Sequence, residues 1–414
     1  MNETDPHASL RHERDFIRYL IARCLGTLAV QMQTVAVGWQ VYAVTRDPLH
    51  LGLIGLSQFL PFIVLILPAG HVADFYDRRR IVTACYLLNL VSAVSLLALS
   101  ARGLDSVGPV FAVMTLLGTT RAFAMPASQA LIPNLVGPEK FARAMAVNQS
   151  VFQVSTIVGP TLGGLLYLAG ATVVYSSVAA LLLVSTVLMS GLKAGGRTKS
   201  QAPAVSLQSL LSGLRFVKSR PIVLGAISLD LFAVLFGGAT ALLPVYARDI
   251  LDTSSAGLGL LRTAPAIGAT VCAITLAARP LTRHVGLWLF GGVVVFGLAT
   301  VVFGLSTNLA VSFVALTALG AGDMVSVYLR HLLVQLETPD EIRGRVSAVN
   351  AVFIGASNEL GEFESGVTAA WFGTVRAVVL GGAVTLAVAG IWARLFPQLR
   401  TMDELPRAQR ESVA

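Results

Sequence analysis

The sequence Asn358-Glu-Leu-Gly-Glu-Phe-Glu-Ser-Gly366 interrupts an otherwise apolar run, from about Val346 to Phe372, that is long enough to cross a bilayer as a helix. An ionised carboxylate at the centre of a membrane helix costs roughly 2.5 to 3.5 kcal/mol, whereas a Leu or Phe favours insertion by only about 0.3 to 0.6 kcal/mol. Glu359 and Glu362 are three residues apart and share a helix face, while Glu364 points elsewhere. Because intramembrane acids usually mark ion or substrate paths, the pair favours a role in transport over the alternative, a hydrogen bond to a neighbouring helix.

The composition of the whole chain agrees with a membrane protein. Of its 414 residues, 55% are hydrophobic and 13% are charged, whereas an ordinary soluble protein is about 25% charged. The three cysteines lie inside apolar runs and predict no disulfide framework. The charged first 18 residues lead directly into a full apolar run, so we expect no cleavable signal peptide. No zinc-protease or serine-hydrolase motif occurs and the six histidines are scattered, so we expect no enzyme, no metal site and no cofactor.

Twelve apolar runs divide the chain, and each can cross about 30 Å of hydrocarbon as a helix. We therefore predict an all-α membrane protein with twelve transmembrane helices in two six-helix pseudo-symmetric halves. The predicted divisions are an N-terminal arm (1–17), a first half (18–192), a central loop (193–220), a second half (221–396) and a tail (397–414).

The basic residues decide the orientation predicted for these helices. The formal net charge is +8, and 22 of the 30 Lys and Arg residues fall in the arm, the central loop, the tail and alternate short loops. Four fall in the loops of the other side, and four lie within spans. Because cytoplasmic loops carry an excess of Lys and Arg, we predict cytoplasmic termini in a bacterial-type inner membrane. The positive charge therefore reflects topology, and nucleic acid is not expected as a partner.

The central loop contains one further pattern. Between Ser206 and Lys218, leucines and a valine recur at helical spacing with polar residues on the other face. This pattern predicts a short amphipathic helix at the cytoplasmic surface, with an ordinary linker helix as the alternative.

The two halves contain an internal repeat. Val41-Tyr42-Ala43 is similar to Val245-Tyr246-Ala247. Residues of predicted helices 4 and 5 recur 202 positions later, in helices 10 and 11: among them Glu139, Arg143, Ser155, Gly159 and Gly164 correspond to Glu341, Arg345, Ser357, Gly361 and Gly366. Two similar six-helix halves are typical of secondary transporters, which hold their substrate between the repeats near the membrane midplane.

Charged residues mark where the halves differ. Arg121 aligns with Asp323, and Pro160 aligns with Glu362. Arg121 and Asp323 are candidates for substrate or proton binding, and the alternative is a buried structural ion pair. Asp230, near the middle of predicted helix 7, is a further candidate that could instead hydrogen-bond a neighbouring helix.

The loop between predicted helices 2 and 3 reads Gly70-His-Val-Ala-Asp-Phe-Tyr-Asp-Arg-Arg-Arg80. Its glycine permits a close helix approach, its first acid can face a helix N-terminus, and its arginines anchor the loop in the cytoplasm. The loop resembles the signature loop of the major facilitator superfamily, although Phe75 replaces the usual arginine and Asp77 the usual glycine. The second departure is similar to the branch that includes the enterobactin exporter and related drug:proton antiporters. The resemblance implies that Asp74 lies near the start of helix 11 and that four residues act in gating: Gly70, Asp74, Arg78 and Arg79.

Predicted helix 5 carries small residues four apart, which let two helix backbones touch, and a proline, which bends a helix. The pattern resembles the antiporter motif of the superfamily, with Ser155 in place of the usual glycine; its other residues are Gly159, Pro160, Gly163 and Gly164. The resemblance covers about residues 16 to 396 and implies that helices 1, 4, 7 and 10 line a central cavity. Candidate lining residues are Gln31, Trp39 and Arg121, with Gln33 and Gln40 as further candidates that cannot all share a face with Gln31.

These patterns together predict a proton-coupled exporter of a small organic molecule, such as a siderophore or a drug, that works by alternating access. Apolar surroundings favour the protonated form of a carboxyl group. Glu359 or Glu362 is therefore the first-choice proton carrier, and Asp230 or Asp323 the second. The expected partners are the substrate, protons and the bilayer, with the chain a monomer and the proton gradient its energy source. The alternatives are a uniporter or lysolipid flippase of the same fold and, from another class, a non-transporting membrane sensor or scaffold.

Overall fold

The computed structural model describes residues 13–104, 106–193 and 207–405. Most of the predicted N-terminal arm, part of the central loop and the end of the tail lie outside the described residues. The helices are α1 (Arg14–Thr45), α2 (Pro48–Phe75), α3 (Arg78–Ala101), α4 (Gly108–Leu135), α5 (Phe141–Tyr167), α6 (Ala171–Ser190), α7 (Leu207–Ser219), α8 (Pro221–Phe236), α9 (Leu243–Val245), α10 (Ser255–Ala278), α11 (Val285–Leu305), α12 (Leu309–Glu337), α13 (Asp340–Phe372), α14 (Thr374–Leu395) and α15 (Pro397–Arg400).

Twelve long helical segments of the described chain correspond to the twelve predicted spans. Ten of them are long and apolar enough to cross a membrane. The other two, α5 and α13, have 27 and 33 residues and are long enough at a rise of about 1.5 Å per residue, but they are less apolar. The prediction of an all-α membrane protein is confirmed.

The chain forms two compact units. The first comprises Met1–Thr45 and Ser57–Ala204, and the second comprises Arg46–Leu56 and Val205–Ala414. In the first unit α1 packs on α5 and α6, and α3 packs on α4 and α6. In the second unit α8 packs on α13 and α14, and α11 packs on α12 and α14. The same pairs of spans are therefore in contact in both units, as the sequence repeat predicts.

Glycines at equivalent positions of the repeat bring helix backbones together. A Cβ atom at Gly118 of α4 would collide with the backbone carbonyl of Gln58 on α2. A Cβ atom at Gly320 of α12, 202 positions later, would collide with the carbonyl of Pro265 on α10. The spans pack at these points at a distance that only glycine allows.

The seventh span covers Pro221–Ile250, but it is not one continuous α-helix. The helix α8 ends at Phe236, and a 3₁₀ turn (Ala239–Leu242), α9 and a π-helical turn (Tyr246–Ile250) follow. The glycines Gly237 and Gly238 separate the parts, and glycine is a poor helix former. The Phe296 ring and the Gly361 carbonyl occupy the space that side chains at these two positions would need.

The chain after the last span returns to the second unit. The backbone N–H groups of Val285 and Gly286, at the start of α11, donate to the carbonyls of Asp403 and Met402 at 3.2 and 2.9 Å. The N–H of His284 donates to the Asp403 carboxylate at 3.1 Å. The first N–H groups of a helix have no partner inside it, so this segment satisfies donors that α11 itself cannot.

Candidate functional site

A cavity of about 370 Å³ lies within the second unit. It is lined by residues of α8, α10, α11, α12 and α13 and by the break that follows α8. Four charged side chains are among them: Asp230, Asp323, Arg330 and Glu362. The cavity thus contains three of the four acids that the sequence suggests for proton coupling, all but Glu359. It also contains Arg330, which is not among the residues predicted for the site.

Asp230 and Arg330 form an ion pair between α8 and α12. Both residues are almost fully buried, with 4% and 1% of their surfaces exposed. His331, next along α12, also interacts electrostatically with Asp230. The Nε atom of Arg330 is buried and has no hydrogen-bond partner among the described residues. The guanidinium therefore retains a donor beyond the one that binds Asp230.

Asp323 lies on the same helix as Arg330 and lines the same cavity. It is attracted by Arg330 and repelled by Asp230. One guanidinium thus interacts with two carboxylates, and its single positive charge cannot balance both of them when they are ionised.

Glu362 brings α13 into the site. Its side chain lines the cavity and interacts electrostatically with Arg262 of α10. Its carboxylate also abuts Gly55, near the start of α2, since a Cβ atom at Gly55 would lie 2.9 Å from Oε2 of Glu362. Residues 46–56 belong to the second unit, so Glu362 connects the cavity to that segment.

The other two acids of α13 are placed differently. Glu359 is not among the described residues that line the cavity, although its backbone carbonyl faces Gly55. The carboxylate of Glu364 accepts a hydrogen bond of 2.8 Å from the hydroxyl of Thr368, one turn later on α13. Of the two acids predicted to share a helix face, only Glu362 is among the described residues that line this cavity.

The lining residues predicted from helices 1 and 4 lie in the first unit. The guanidinium of Arg121 lies over the Phe62 ring, 5.1 Å from its centroid. The ring of Trp39 contacts that of Tyr167 edge-on, with centroids 6.5 Å apart.

The three glutamines of α1 have different surroundings. Gln31 packs at Gly159, where a Cβ atom would meet the side chain of Gln31. Gln40 exchanges hydrogen bonds with Ser100 and accepts one from Tyr175 at 2.8 Å, so it joins helices. Gln33 is 2% exposed, and its side-chain amide has no hydrogen-bond partner among the described residues.

The loop with the family signature is held by hydrogen bonds inside the first unit. Arg78 donates to the carbonyls of Ala73 and Ala130 at 3.3 and 3.0 Å. Arg79 donates to the carbonyl of Leu192. The carboxylate of Asp77 caps α3 by accepting from the N–H of Arg79 at 2.9 Å. The arginines therefore fasten this loop to neighbouring spans of its own unit.

Two expectations for this loop have different outcomes. A Cβ atom at Gly70 would meet no described atom within 4 Å, so the described residues contain no close helix approach at that glycine. The side chain of Asp74 lies outside the described residues, and its expected neighbour at the start of helix 11 stays a prediction.

The motif of small residues on α5 packs against α1. A Cβ atom at Gly163 would lie 2.8 Å from the Cα of Met32, and the hydroxyl of Ser155 approaches the carbonyl of Cys24 at 3.4 Å. Pro160 and Gly164 are buried in the same helix. In the second unit, Gly361 of α13 approaches the carbonyl of Leu235 on α8 in the equivalent way. The motif thus has a packing role in both units.

Comparisons with known proteins extend these observations. Over residues 4–413 the sequence matches a family described as transmembrane secretion effector. It is 28% identical over 389 residues to the multidrug efflux pump Tap of Mycolicibacterium fortuitum, covering 89% of this chain and 92% of the relative. It is 26% identical over 348 residues to the enterobactin exporter EntS of Escherichia coli O139:H28, covering 81% of this chain and 80% of the relative.

The fold is also similar to solved transporter structures. A single-residue mutant of the nucleoside transporter NupG has a TM-score of 0.75 at 13% identity, covering 92% of this chain and all of that one (100%). A bacterial homolog of the human lysosomal transporter Spinster, inward-facing and unoccupied, has a TM-score of 0.74 at 13% identity, covering 95% and 99%. Similarity at this level of identity concerns the fold alone.

Proposed function

The chain belongs to the transmembrane secretion effector family of the major facilitator superfamily and is a multi-pass membrane transporter; from this premise we propose that it exports a small organic molecule in exchange for protons. The relatives named above are an efflux pump and a siderophore exporter. They support export of a drug-like or siderophore-like substrate by alternating access.

The charge balance of the cavity carries the proposal for proton coupling. Asp230, Asp323 and Glu362 line it, with Arg330 among them and Arg262 beside Glu362. Carboxylates therefore exceed guanidinium groups by one, and the site carries a surplus negative charge when His331 is neutral. A surplus negative charge in a low-dielectric site is costly, and the binding of a proton removes that cost.

The proposed cycle uses this surplus. With the cavity open to the side of higher proton concentration, a proton binds to Asp323 or Glu362, which both line the cavity. The uncharged site can then be closed off from water at a lower free-energy cost. The conformational equilibrium therefore shifts toward the state that opens to the other side of the membrane. Release of the proton on the cytoplasmic side restores the negative charge. The substrate then binds from the cytoplasm, and the return of the loaded transporter carries it to the other side, where its release completes the exchange. Asp230 remains paired with Arg330, and the charges of this pair act on the neighbouring carboxylate of Asp323.

The experiment uses purified protein in proteoliposomes with an imposed pH gradient. A substrate is first chosen from the susceptibility and metabolite-accumulation profile of a deletion strain. We expect Glu362→Gln or Asp323→Asn to abolish gradient-driven flux while leaving substrate counterflow, which needs no net proton movement. Glu364→Gln is the matched control, because Glu364 bonds within its own helix, and it should retain driven flux.

Two outcomes would overturn the proposal. Full gradient-driven flux in both Glu362→Gln and Asp323→Asn would exclude these carriers. Flux of the wild type that ignores a collapsed proton gradient would instead support a uniporter or a lysolipid flippase.

We further propose that the protein lies in the bacterial inner membrane with both termini in the cytoplasm. The distribution of Lys and Arg supports this orientation. Green fluorescent protein fused after residue 405 should fluoresce, since it does so only in the cytoplasm, whereas a fusion in the loop after α3 should be dark. The reverse pattern would invert the proposed topology.

A further inference from the structure

The helix α7 connects the sixth and seventh spans, and one strip of its described side chains packs against α13. A Cβ atom at Gly213 would lie 2.8 Å from the carbonyl oxygen of Arg345, near the start of α13. Val217 is 1% exposed and belongs to a buried cluster with Val346 and Val349 of α13. This side of α7 is therefore fixed to α13.

Beside this buried strip, α7 presents leucines that are exposed. Leu211 and Leu214 are 53% and 41% exposed, and residues three apart are neighbours on a helix face. Arg215 and Lys218 are exposed beside them. The helix has no acidic residue, and Arg220, one residue after it, is exposed as well. The free face is thus an apolar pair beside a purely basic edge.

The position of α7 in the chain places this face at the membrane. The helix ends at Ser219, and α8, part of the seventh span, begins at Pro221. One residue separates the two helices, so the end of α7 cannot leave the level at which α8 enters the bilayer. A free helix face with leucines and adjoining lysine and arginine is suited to the boundary between acyl chains and headgroups.

We propose that this face of α7 is a binding surface for anionic phospholipids of the cytoplasmic leaflet. Leu211 and Leu214 enter the acyl boundary, and Arg215 and Lys218 bind the headgroup phosphates. Basic side chains at a membrane surface favour anionic over zwitterionic lipids, which is the reason for choosing this occupant. The assignment of the leaflet rests on the topology given under the proposed function.

A regulatory consequence follows from the two sides of α7. The side away from the lipid is fixed to α13 at Gly213 and Val217, and α13 carries Glu362 into the cavity. Lipid binding therefore restrains the helix that contributes a charged group to the transport site, and transport should depend on the anionic lipid content of the membrane.

The test uses the full chain, with Cys24, Cys85 and Cys272 replaced by serine and one spin label at position 211 or 214. The protein is reconstituted in phosphatidylcholine vesicles with or without phosphatidylglycerol. The label is then probed with oxygen, which concentrates in the bilayer, and with a water-soluble nickel chelate. We expect phosphatidylglycerol to raise the ratio of oxygen to nickel accessibility several-fold. Arg215→Gln with Lys218→Gln should return that ratio to the phosphatidylcholine value, and a label at the exposed residue Thr401 is the aqueous control.

Two results would overturn the inference. An equal ratio in both vesicles would mean that anionic lipid is not selected. Shielding from both reagents would mean that protein, such as a second copy or another segment of this chain, covers the face. Neither readout requires transport, so the test stands even if proton coupling fails.

Discussion

The Asp230 carboxylate of α8 and the Arg330 guanidinium of α12 form an ion pair with both residues almost fully buried. Removal of one partner from such a pair leaves a buried charge without compensation and costs about 3 to 5 kcal/mol. Replacement of both partners by apolar residues of similar volume is often neutral. The pair therefore affects stability mainly because the loss of one partner leaves a buried charge without compensation.

The first prediction follows from this pair. We expect Arg330→Met and Asp230→Leu each to lower the thermal unfolding temperature in detergent strongly, and the double substitution to recover most of the loss. The exposed ion pair between Arg46 and Asp249, at 2.8 Å, is the control, because exposed pairs contribute only about 0 to 1 kcal/mol. A double variant as unstable as the sum of the single ones would contradict this account.

The second prediction concerns the motif of small residues on α5. Gly163→Ala would place a Cβ atom 2.8 Å from the Cα of Met32, and overpacking of this kind costs about 1 to 3 kcal/mol. Gly390→Ala on α14 is the matched control, because a Cβ atom there would meet nothing within 4 Å and alanine is the better helix former by up to about 1 kcal/mol. Thermal unfolding should shift in opposite directions for the two variants, and equal shifts would show that packing at Gly163 is not tight.

The third prediction concerns the contact between Gly55 and Glu362. Gly55→Ala would place a Cβ atom 2.9 Å from Oε2 and 3.2 Å from Cβ of Glu362. Because the end of the glutamate is flexible, we expect little loss of stability but a clear fall in gradient-driven flux. Residues in contact have interaction free energies of about 0.5 to 3 kcal/mol in double-mutant cycles, so Gly55→Ala should lower flux less in a Glu362→Asp background, whose shorter side chain keeps a carboxylate but withdraws it from position 55. Additive effects on flux would show that the two positions act independently.

The fourth prediction concerns Asp77, which replaces the usual glycine of the signature loop. The carboxylate of Asp77 accepts from the N–H of Arg79 as the N-cap of α3. Replacement of such a cap by alanine costs about 1 kcal/mol, whereas glycine costs only a few tenths and asparagine is nearly equivalent to aspartate. Thermal unfolding should rank Asp77→Asn and Asp77→Gly close to wild type and Asp77→Ala clearly below them. If Asp77→Gly were as unstable as Asp77→Ala, the cap would not explain the choice of residue.

Much of the fold could be predicted from the sequence, because hydrophobic length and internal repetition are local properties. The repeat predicts equivalent contacts, and Gly118 and Gly320 make them. The break after α8 was not predicted, although Gly237 and Gly238 were the available signal. Two glycines in an apolar run are compatible with a continuous span, and here the Phe296 ring and the Gly361 carbonyl occupy the adjoining space.

The site was less predictable, because it depends on which helices meet. The sequence identifies Arg330 only as one of the four arginines within predicted spans, because its distance in the sequence from Asp230 gives no sign of the ion pair. Helical spacing places Glu359 and Glu362 on one face, but a face spans a wide angle and only Glu362 lines the cavity. The sequence identifies the candidate acids, but it does not show which of them line the cavity, because that depends on how α8, α10, α12 and α13 pack.

The return of the chain after α15 has a practical consequence for handling the protein. Met402 and Asp403 supply the acceptors for the first N–H groups of α11. Truncation after Arg400 would leave those donors without their partners, at a helix end more than a hundred residues away in sequence. A purification tag is therefore better attached beyond residue 405 than substituted for the residues before it.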